Sequence, residues 1–375
     1  MRISHEQALA MFASDDLVGI GAEADSLRRR LHPGDAISYI VDRNINYTNF
    51  CTEYCSFCAF YRPMGSSEGY LLSLETIFQK IEEMISLGGT GILLQGGLHS
   101  DLKIDYYENL LRSIHDRFPQ VHLHCFSAPE ILNIAELSGL TLSDTLVRLR
   151  DAGLASIPGG GAEILDDEVR RRIARLKCTS AEWVSVHRTA HGLGMRTTAT
   201  MMFGCGETLR HRVNHLETIR QLQDETGGFT AFIPWAFQPP NTPLGRTVKE
   251  EATAVDYLKT LALSRIYLDN VLNVQASWLT PGPKIMQVGL RFGGNDVGSV
   301  LIEENVVRAA GVTRTTTEND LRRIIRDAGF RPVKRDTLYR TYFLDDQDDK
   351  EDGPDFSGDS LIPPQSSELT VWTTS

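Results

Sequence analysis

Residues 37–58 of this 375-residue chain read ISYIVDRNINYTNFCTEYCSFC, an apolar run followed by a polar loop that holds three cysteines. The apolar run, residues 37–41, has the length and the β-branched content of a buried strand. Three thiols within eight residues are soft ligands for a metal. The stretch therefore predicts a metal centre on the loop that follows the first strand of the fold.

The spacing of Cys51, Cys55 and Cys58 narrows the kind of metal centre. A structural zinc site needs four ligands, usually two separated pairs, and the chain has no second C-x-x-C pair. An iron–sulfur cubane takes one thiolate per iron, so three cysteines leave one iron open. A disulfide cluster and an incomplete zinc knuckle are the alternatives. The other cysteines are scattered singly, and Cys125 is predicted to be a buried apolar side chain.

Strand and helix patterns alternate along most of the chain. Strands are predicted at residues 37–41, 91–95, 121–125, 155–157, 196–201 and 228–233, with weaker signals at 271–275 and 296–300. Helices are predicted within residues 6–31 and at 73–86, 105–117, 129–137, 143–151, 180–193 and 208–226. This alternation predicts an α/β fold of the TIM-type (βα) barrel, with six to eight parallel strands. A doubly wound open sheet is the competing fold.

Glycine-rich turns follow two of the predicted strands. Gly96 and Gly97 come directly after the second strand, where they allow close approach of a charged ligand or form a plain turn. Glu163 ends the stretch 159–163, GGGAE, after the fourth strand. Its carboxylate could bind a ribose diol or an ammonium group, or lie at the start of the next helix. Loops after barrel strands form the catalytic face, so these turns are expected to meet the cysteine loop.

Three aromatic or imidazole side chains are candidates for a substrate pocket. His122 and His124 share one face of the third strand, as satisfied polar residues or as substrate contacts. Trp235 is expected just beyond the sixth strand, as barrel core or as a pocket wall.

Charge and hydropathy restrict the partners. The net charge is −11, but residues 345–375 hold nine acids and one base, so the body is close to neutral and has no basic field for nucleic acid. No signal peptide and no membrane span are predicted, and a cytoplasmic location is expected. We expect a helical segment at 1–36, a barrel with a C-terminal extension at 37–343 and a disordered acidic tail at 344–375.

The cysteine spacing, with aromatic Phe57 before the last cysteine, resembles that of radical S-adenosylmethionine enzymes, and residues 95–97, QGG, resemble their methionine-binding segment. Within this superfamily, residues 15–340 resemble the cyclic dehypoxanthinyl futalosine synthases of menaquinone biosynthesis by the futalosine route. Tyr47 and residues 232–238 favour them over the sister aminofutalosine synthases and the synthases of the deazaflavin chromophore. A structural metal-binding module is the non-enzyme alternative.

The resemblance implies a [4Fe-4S] cluster on Cys51, Cys55 and Cys58 and S-adenosylmethionine as cofactor. Phe57, Gly96, Gly97 and Glu163 are then candidates for S-adenosylmethionine contacts, and His122, His124 and Trp235 for substrate contacts. It also implies a radical that takes hydrogen from C4′ of dehypoxanthine futalosine, cyclisation by C–C bond formation, and reduced flavodoxin or ferredoxin as electron donor. Cys205 stands where the family is expected to have a histidine, so any proton-transfer role of that histidine would lie elsewhere or fall to Cys205.

Overall fold

Seven parallel strands form one curled sheet in the computed structural model, which describes residues 2–339 and 342–343. The strands, in chain order, are β1 Ala36–Ile40, β2 Asp42–Ile45, β3 Gly91–Leu94, β4 His122–Cys125, β5 Ser156–Ile157, β6 Arg196–Phe203, β7 Phe229–Ala236, β8 Asn273–Val274, β9 Asp296–Ser299, β10 Arg331–Arg335 and β11 Tyr342–Phe343. The curled sheet has the order β2-β3-β4-β5-β6-β7-β8, and every neighbouring pair is parallel.

A second sheet, in the order β11-β10-β1-β9, joins the two edges of the curled sheet. At one edge, β1 runs on into β2 after a single residue, and at the other Gln275, just past β8, forms a parallel bridge with Asp296 of β9. Strand β9 in turn pairs in parallel with β1. The predicted (βα) barrel is confirmed.

Helices cover the outside of the sheet. They are α1 His5–Ala13, α2 Leu17–Leu31, α3 Leu74–Ser86, α4 Ile104–Arg117, α5 Ala128–Ser138, α6 Leu142–Asp151, α7 Asp167–Ile173, α8 Ser180–Gly192, α9 Leu209–Thr226, α10 Ala254–Tyr267, α11 Pro283–Gly289, α12 Val306–Ala309 and α13 Glu318–Asp327, with a 3-10 turn at Leu244–Arg246. Helix α3 is typical: its N-cap Ser73 accepts a hydrogen bond from Thr76 N, and Ile77, Ile81 and Met84 are buried on one face.

The N-terminal segment is part of the packed molecule. Helix α2 lies along α10, and α1 contacts α9 and α10. Ala8 and Phe12 of α1 are buried in the common hydrophobic core. The predicted acidic tail, residues 344–375, lies outside the described residues. Among the helices of the described part, none combines the length and the apolar character that crossing a membrane requires.

Two predicted element boundaries were wrong. Residues 43–45, predicted to begin the cysteine loop, belong to strand β2, where polar side chains alternate with buried ones because the barrel interior is partly polar. Trp235, expected beyond the sixth strand, lies inside β7, which runs on through Pro234 to Ala236. Pro234 is tolerated there because its backbone faces the side of β8, which pairs only with Ala231 and Phe232, and its carbonyl accepts a hydrogen bond from Ser277 Oγ at 3.3 Å.

Candidate functional site

The cysteine loop is held by backbone hydrogen bonds within the loop and to two other parts of the barrel. Cys51 N donates to Arg62 O at 3.0 Å, and Ser56 N donates to Ile173 O at 2.8 Å, at the end of α7. Leu244 N of the 3-10 turn donates to Ser56 O at 2.7 Å. Cys51 and Cys55 are buried and Cys58 is half-buried. The loop therefore presents its thiols at a fixed place beside the carboxyl ends of the strands.

The arrangement of the thiols decides between the alternatives for this loop. All six cysteines of the chain are unpaired, so the trio forms no disulfide. Among the described residues, one set of three metal-ligand atoms lies within 4.8 Å of one another, and it is formed by Asp166, Glu168 and His211. The three sulfur atoms are therefore more widely spread than the roughly 3.8 Å that zinc–sulfur bonds of about 2.3 Å require in a tetrahedron. A larger centre, such as a cluster, fits this spread.

Burial and one nearby cation act on these thiols in opposite directions. Burial raises the pKa of Cys55 to about 12, while the charge of Lys177 lowers it. Burial also raises the pKa of Cys51, and the charge of Lys177 offsets part of that rise. Since only a thiolate binds metal, the loop favours a cationic centre that offsets the cost of burying the thiolates.

The glycine turn after β3 lies directly against the cysteine loop. Gly97 N donates to Thr48 O at 3.0 Å. A Cβ on Gly97 would lie 2.2 Å from Phe50 O and 2.7 Å from Cys51 Cβ, a distance that no side chain tolerates. Gly97 is required so that the turn and the cysteine loop can approach this closely.

The buried carboxylate of Glu130 stabilises the same turn by hydrogen bonds. Glu130 Oε1 accepts hydrogen bonds from Gly96 N and from Tyr47 Oη, both at 2.9 Å, and Glu130 Oε2 accepts from Ser127 N at 2.7 Å. Tyr47 is completely buried. This tyrosine, which favoured one branch of the family over its sisters, therefore supports the turn from within the core.

Glu163 occupies a strained and charged position. Its backbone has φ of +40°, a left-handed conformation that non-glycine residues rarely adopt. Glu163 Oε1 accepts from Lys177 Nζ at 2.9 Å, and Oε2 is buried without a hydrogen-bond partner among the described residues, with Arg170 Nη1 at 3.6 Å. Helix α7 begins at Asp167, so Glu163 does not lie at its first turn. Lys177 Nζ also stands 5.4 Å from the centre of the Phe57 ring.

A cavity of about 360 Å³ opens inside the barrel. Of the predicted site residues, Glu163, His124 and Trp235 line it, whereas the three cysteines, Phe57, Gly96, Gly97 and His122 do not. The charges of both Lys177 and Glu163 act on Cys55, so the cysteine loop adjoins the cavity on the side of Glu163.

The two strand histidines share one hydroxyl. His122 Nε2 lies 2.7 Å and His124 Nδ1 2.6 Å from Ser156 Oγ. Because a hydroxyl has one hydrogen to donate, one ring accepts from Ser156 and the other donates to it. Burial lowers the pKa of His124 to about 3. His124 therefore faces the cavity as a neutral ring, and His122 positions it through Ser156.

Sequence reasoning missed several polar residues that line the cavity. Asn44 Nδ2 donates to Glu304 Oε2 at 2.7 Å, and burial raises the pKa of Glu304. Arg335 of β10 also lines the cavity and forms an ion pair with Asp296 at 2.5 Å. Asp42, Arg43 and Asn44 are three polar residues in a row, so no strand signal marks Asn44 in the sequence. Glu304 and Arg335 are distant from the predicted motifs in the sequence and carried no signal either.

Comparison with known proteins identifies the family. The family described as "Radical SAM superfamily" matches residues 45–219, and that described as "CofH/MqnC C-terminal region" matches residues 226–347. A cyclic dehypoxanthine futalosine synthase from Halalkalibacterium halodurans is 48% identical, covering 90% of this chain and 91% of that protein. The chain belongs to the radical SAM superfamily. Membership implies an iron–sulfur cluster and S-adenosylmethionine, and the protein is an enzyme of radical chemistry.

Further relatives lie within the same branch of radical SAM enzymes. A cyclic dehypoxanthine futalosine synthase from Streptomyces coelicolor is 42% identical, covering 92% of this chain and 87% of that protein. A 5-amino-6-(D-ribitylamino)uracil–L-tyrosine 4-hydroxyphenyl transferase from Archaeoglobus fulgidus is 43% identical (88% and 97%). The solved structure of the hydrogenase maturase HydG from Carboxydothermus hydrogenoformans has a TM-score of 0.71 at 18% identity, covering 90% of this chain and 78% of that one, which supports the fold.

Proposed function

We propose that this protein is a radical SAM cyclase that converts dehypoxanthine futalosine to cyclic dehypoxanthinyl futalosine in menaquinone biosynthesis. The observation that carries the proposal is the 48% identity, over nine-tenths of both chains, to a protein of that name. The barrel cavity, which is lined by both polar and apolar side chains, suits a small substrate with hydroxyl groups and an aromatic ring. Aminofutalosine synthase and the deazaflavin-chromophore synthases are the alternatives, since enzymes of these kinds are also relatives.

We assign the cluster to Cys51, Cys55 and Cys58. The fit rests on three observations: the thiols are unpaired, they are too widely spread for one zinc ion, and their burial favours a cationic centre. The neighbouring glycine turn leaves no side chain between Gly97 and the loop, so its backbone stays close to whatever binds there. With both groups bound, the cluster and S-adenosylmethionine supply a 5′-deoxyadenosyl radical that takes a hydrogen atom from the substrate.

Glu163 is the residue that we expect to anchor S-adenosylmethionine. Its Oε2 is buried without a hydrogen-bond partner among the described residues, since Arg170 Nη1 stands 3.6 Å away, and such an oxygen is costly to bury unless a bound donor reaches it. The ammonium group or the ribose hydroxyls of S-adenosylmethionine offer such donors. Phe57, Gly96 and Gly97 are proposed to complete the binding site on the side of the cysteine loop.

The cavity residues position the substrate and keep water from the radical. Trp235 supplies an apolar wall, and the neutral ring of His124 offers a single hydrogen-bonding nitrogen. Cys205, considered as a substitute for a family histidine, is completely buried, does not line the cavity and contacts Met202 O through its thiol. We therefore place proton transfer among the cavity side chains and not at Cys205.

One assay separates the proposed activity from its alternatives. The anaerobically reconstituted protein is incubated with S-adenosylmethionine, a reductant and either dehypoxanthine futalosine or 5-amino-6-(D-ribitylamino)uracil with tyrosine. We expect a product two hydrogen atoms lighter than dehypoxanthine futalosine and no change in the second mixture. Unchanged dehypoxanthine futalosine under conditions that support S-adenosylmethionine cleavage would contradict the proposal.

A further inference from the structure

The densest basic stretch of the chain lies next to the cysteine loop. Residues 170–177, RRRIARLK, hold five cations and no acid, and no other eight-residue stretch of the sequence holds as many. The protein as a whole carries a net charge of −11. A concentration of positive charge against that background needs a local explanation.

Hydrogen bonds tie this basic stretch to the centre of the cysteine loop. Ser56, which lies between Cys55 and Cys58, donates from its backbone N at 2.8 Å and from its Oγ at 2.9 Å to the same carbonyl, that of Ile173. The residues on either side of Ile173 are therefore held beside the proposed cluster, whatever its occupancy.

The five cations divide into two groups by direction. Arg170 and Lys177 point inward: Arg170 Nη1 donates to Ala162 O at 2.6 Å, and Lys177 pairs with Glu163. Arg171, Arg172 and Arg175 are exposed. The inward pair shapes the proposed S-adenosylmethionine site, whereas the outward three contribute nothing to the cavity and face solvent.

Exposed apolar side chains accompany the three outward arginines. Tyr54 lies between Cys51 and Cys55 and is 51% exposed, with its ring edge on Tyr61 at 5.6 Å between centres. Leu176, directly after Arg175, is 55% exposed. Arginine and tyrosine are enriched in protein–protein interfaces.

We propose that this surface, formed by Arg171, Arg172, Arg175, Tyr54 and Leu176 and called here the basic face, docks an acidic electron-donor protein. The proposal deepens the proposed function, because it rests on a reducible cluster at the neighbouring cysteines. One electron passes from the reduced flavin or iron–sulfur centre of the donor to the cluster, so the donor is oxidised by one electron and no covalent bond changes. An acidic partner is indicated by the charge of the face, since opposite charges steer encounter and fix orientation. Three acids, Asp166, Asp167 and the exposed Glu168, directly precede the basic stretch and border this face.

Charge reversal with two kinds of reductant tests the proposal. Arg175→Glu and the double variant Arg171→Glu/Arg175→Glu are compared with Arg30→Glu. Arg30 is a control because it is also exposed and lies at the end of α2, next to the N-terminal end of β1 and so away from the carboxyl ends of the strands. Two quantities are measured: the Kd of acidic flavodoxin or ferredoxin, and the rate at which the cluster absorption bleaches when the reduced donor is added. Dithionite serves as a small reductant that needs no docking surface.

For the double variant we expect the Kd of the donor to rise about tenfold at low salt, with the difference shrinking as salt is added, because exposed charges are screened. Bleaching by limiting donor should slow in proportion, while bleaching by dithionite and by donor with Arg30→Glu should match the wild type. Unchanged donor affinity, or equal slowing with dithionite and with donor, would overturn the proposal.

These readouts are independent of the substrate. A wild-type protein that is reduced and cleaves S-adenosylmethionine but leaves dehypoxanthine futalosine unchanged contradicts the proposed cyclase activity alone. A wild-type protein that forms no reducible cluster contradicts both.

Discussion

Lys177 Nζ lies 2.9 Å from Oε1 of Glu163, whereas Oε2 is buried without a hydrogen-bond partner among the described residues and lies 3.6 Å from Arg170 Nη1. The lysine thus orients the carboxylate and at the same time places a positive charge beside Cys55. This ion pair links the cysteine loop to the barrel cavity. The first prediction follows from the unpaired oxygen.

Glu163→Gln is expected to weaken S-adenosylmethionine binding. The loss of a charge-assisted hydrogen bond, roughly 1.5–3 kcal/mol, corresponds to about a 10- to 100-fold rise in Kd. Equilibrium binding to the oxidised, cluster-loaded protein measures it without turnover. Glu168→Gln is the control, since the Glu168 side chain is 71% exposed and does not line the cavity. Wild-type affinity in Glu163→Gln would remove Glu163 from the binding site.

Alanine substitution of Cys51, Cys55 or Cys58 is expected to abolish the sulfur-to-iron charge-transfer band after anaerobic reconstitution, because each thiolate binds one iron. Cys205→Ala removes a completely buried thiol that is not part of the cysteine loop and should keep both the band and the iron content. Iron and sulfide analysis with visible spectroscopy measures both. A full complement of iron in Cys55→Ala, or its loss in Cys205→Ala, would contradict the assignment.

Gly97→Ala is expected to destabilise the cysteine loop. The added Cβ would lie 2.2 Å from Phe50 O, so the backbone must move, at a cost of about 1–3 kcal/mol in the free energy of unfolding. Gly192, at the end of α8, has open space around its Cβ position, and Gly192→Ala should be neutral or stabilising by up to about 1 kcal/mol. Urea unfolding and iron retention compare the two. Equal stability of both variants would show that the close approach at Gly97 is unimportant.

His187 is expected to make folding stability fall in acid. Its ring is buried against Trp183 at 3.9 Å between centres, both nitrogens lack partners among the described residues, and burial lowers its pKa well below the usual value. The unfolded chain therefore binds more protons, so the stability contributed by the neutral ring is full above about pH 6.5 and decreases by at most about 1.4 kcal/mol per pH unit below it. His187→Leu should flatten this slope by up to one proton, as measured by urea unfolding from pH 8 to pH 5. An unchanged slope would show that His187 is not the titrating group.

The sequence allowed the barrel to be predicted because its strands are short β-branched runs bounded by glycine. Helix α7 was missed because Asp167–Ile173 is rich in arginine and has only Val169 and Ile173 as apolar residues, too few to show a helical period. Strand β2 was taken for loop because its inward residues, Asp42 and Asn44, are polar. These two misses occur where the barrel wall contributes side chains to the site. Helices α10 to α13 and strands β10 and β11 were not predicted either.

The candidate site was predicted in part. Cysteine spacing identified the metal loop, since its ligands are local in sequence, and the position of Glu163 after a strand placed it near the cavity. Lys177, Arg170 and Glu304 reach the site only through folding of α7 and of the loop after β9, so spacing gave no signal for them. The sequence shows that residues 170–177 are rich in basic residues. Only the hydrogen bonds from Ser56 to the carbonyl of Ile173 show that this stretch lies beside the cysteines.

Deuterium at C4′ of dehypoxanthine futalosine tests the central claim most directly. The reconstituted, reduced enzyme is incubated with the labelled substrate and unlabelled S-adenosylmethionine, and the 5′-deoxyadenosine is analysed by mass spectrometry. The account predicts one deuterium in 5′-deoxyadenosine, formed together with the cyclised product. Unlabelled 5′-deoxyadenosine with the substrate left uncyclised would contradict it.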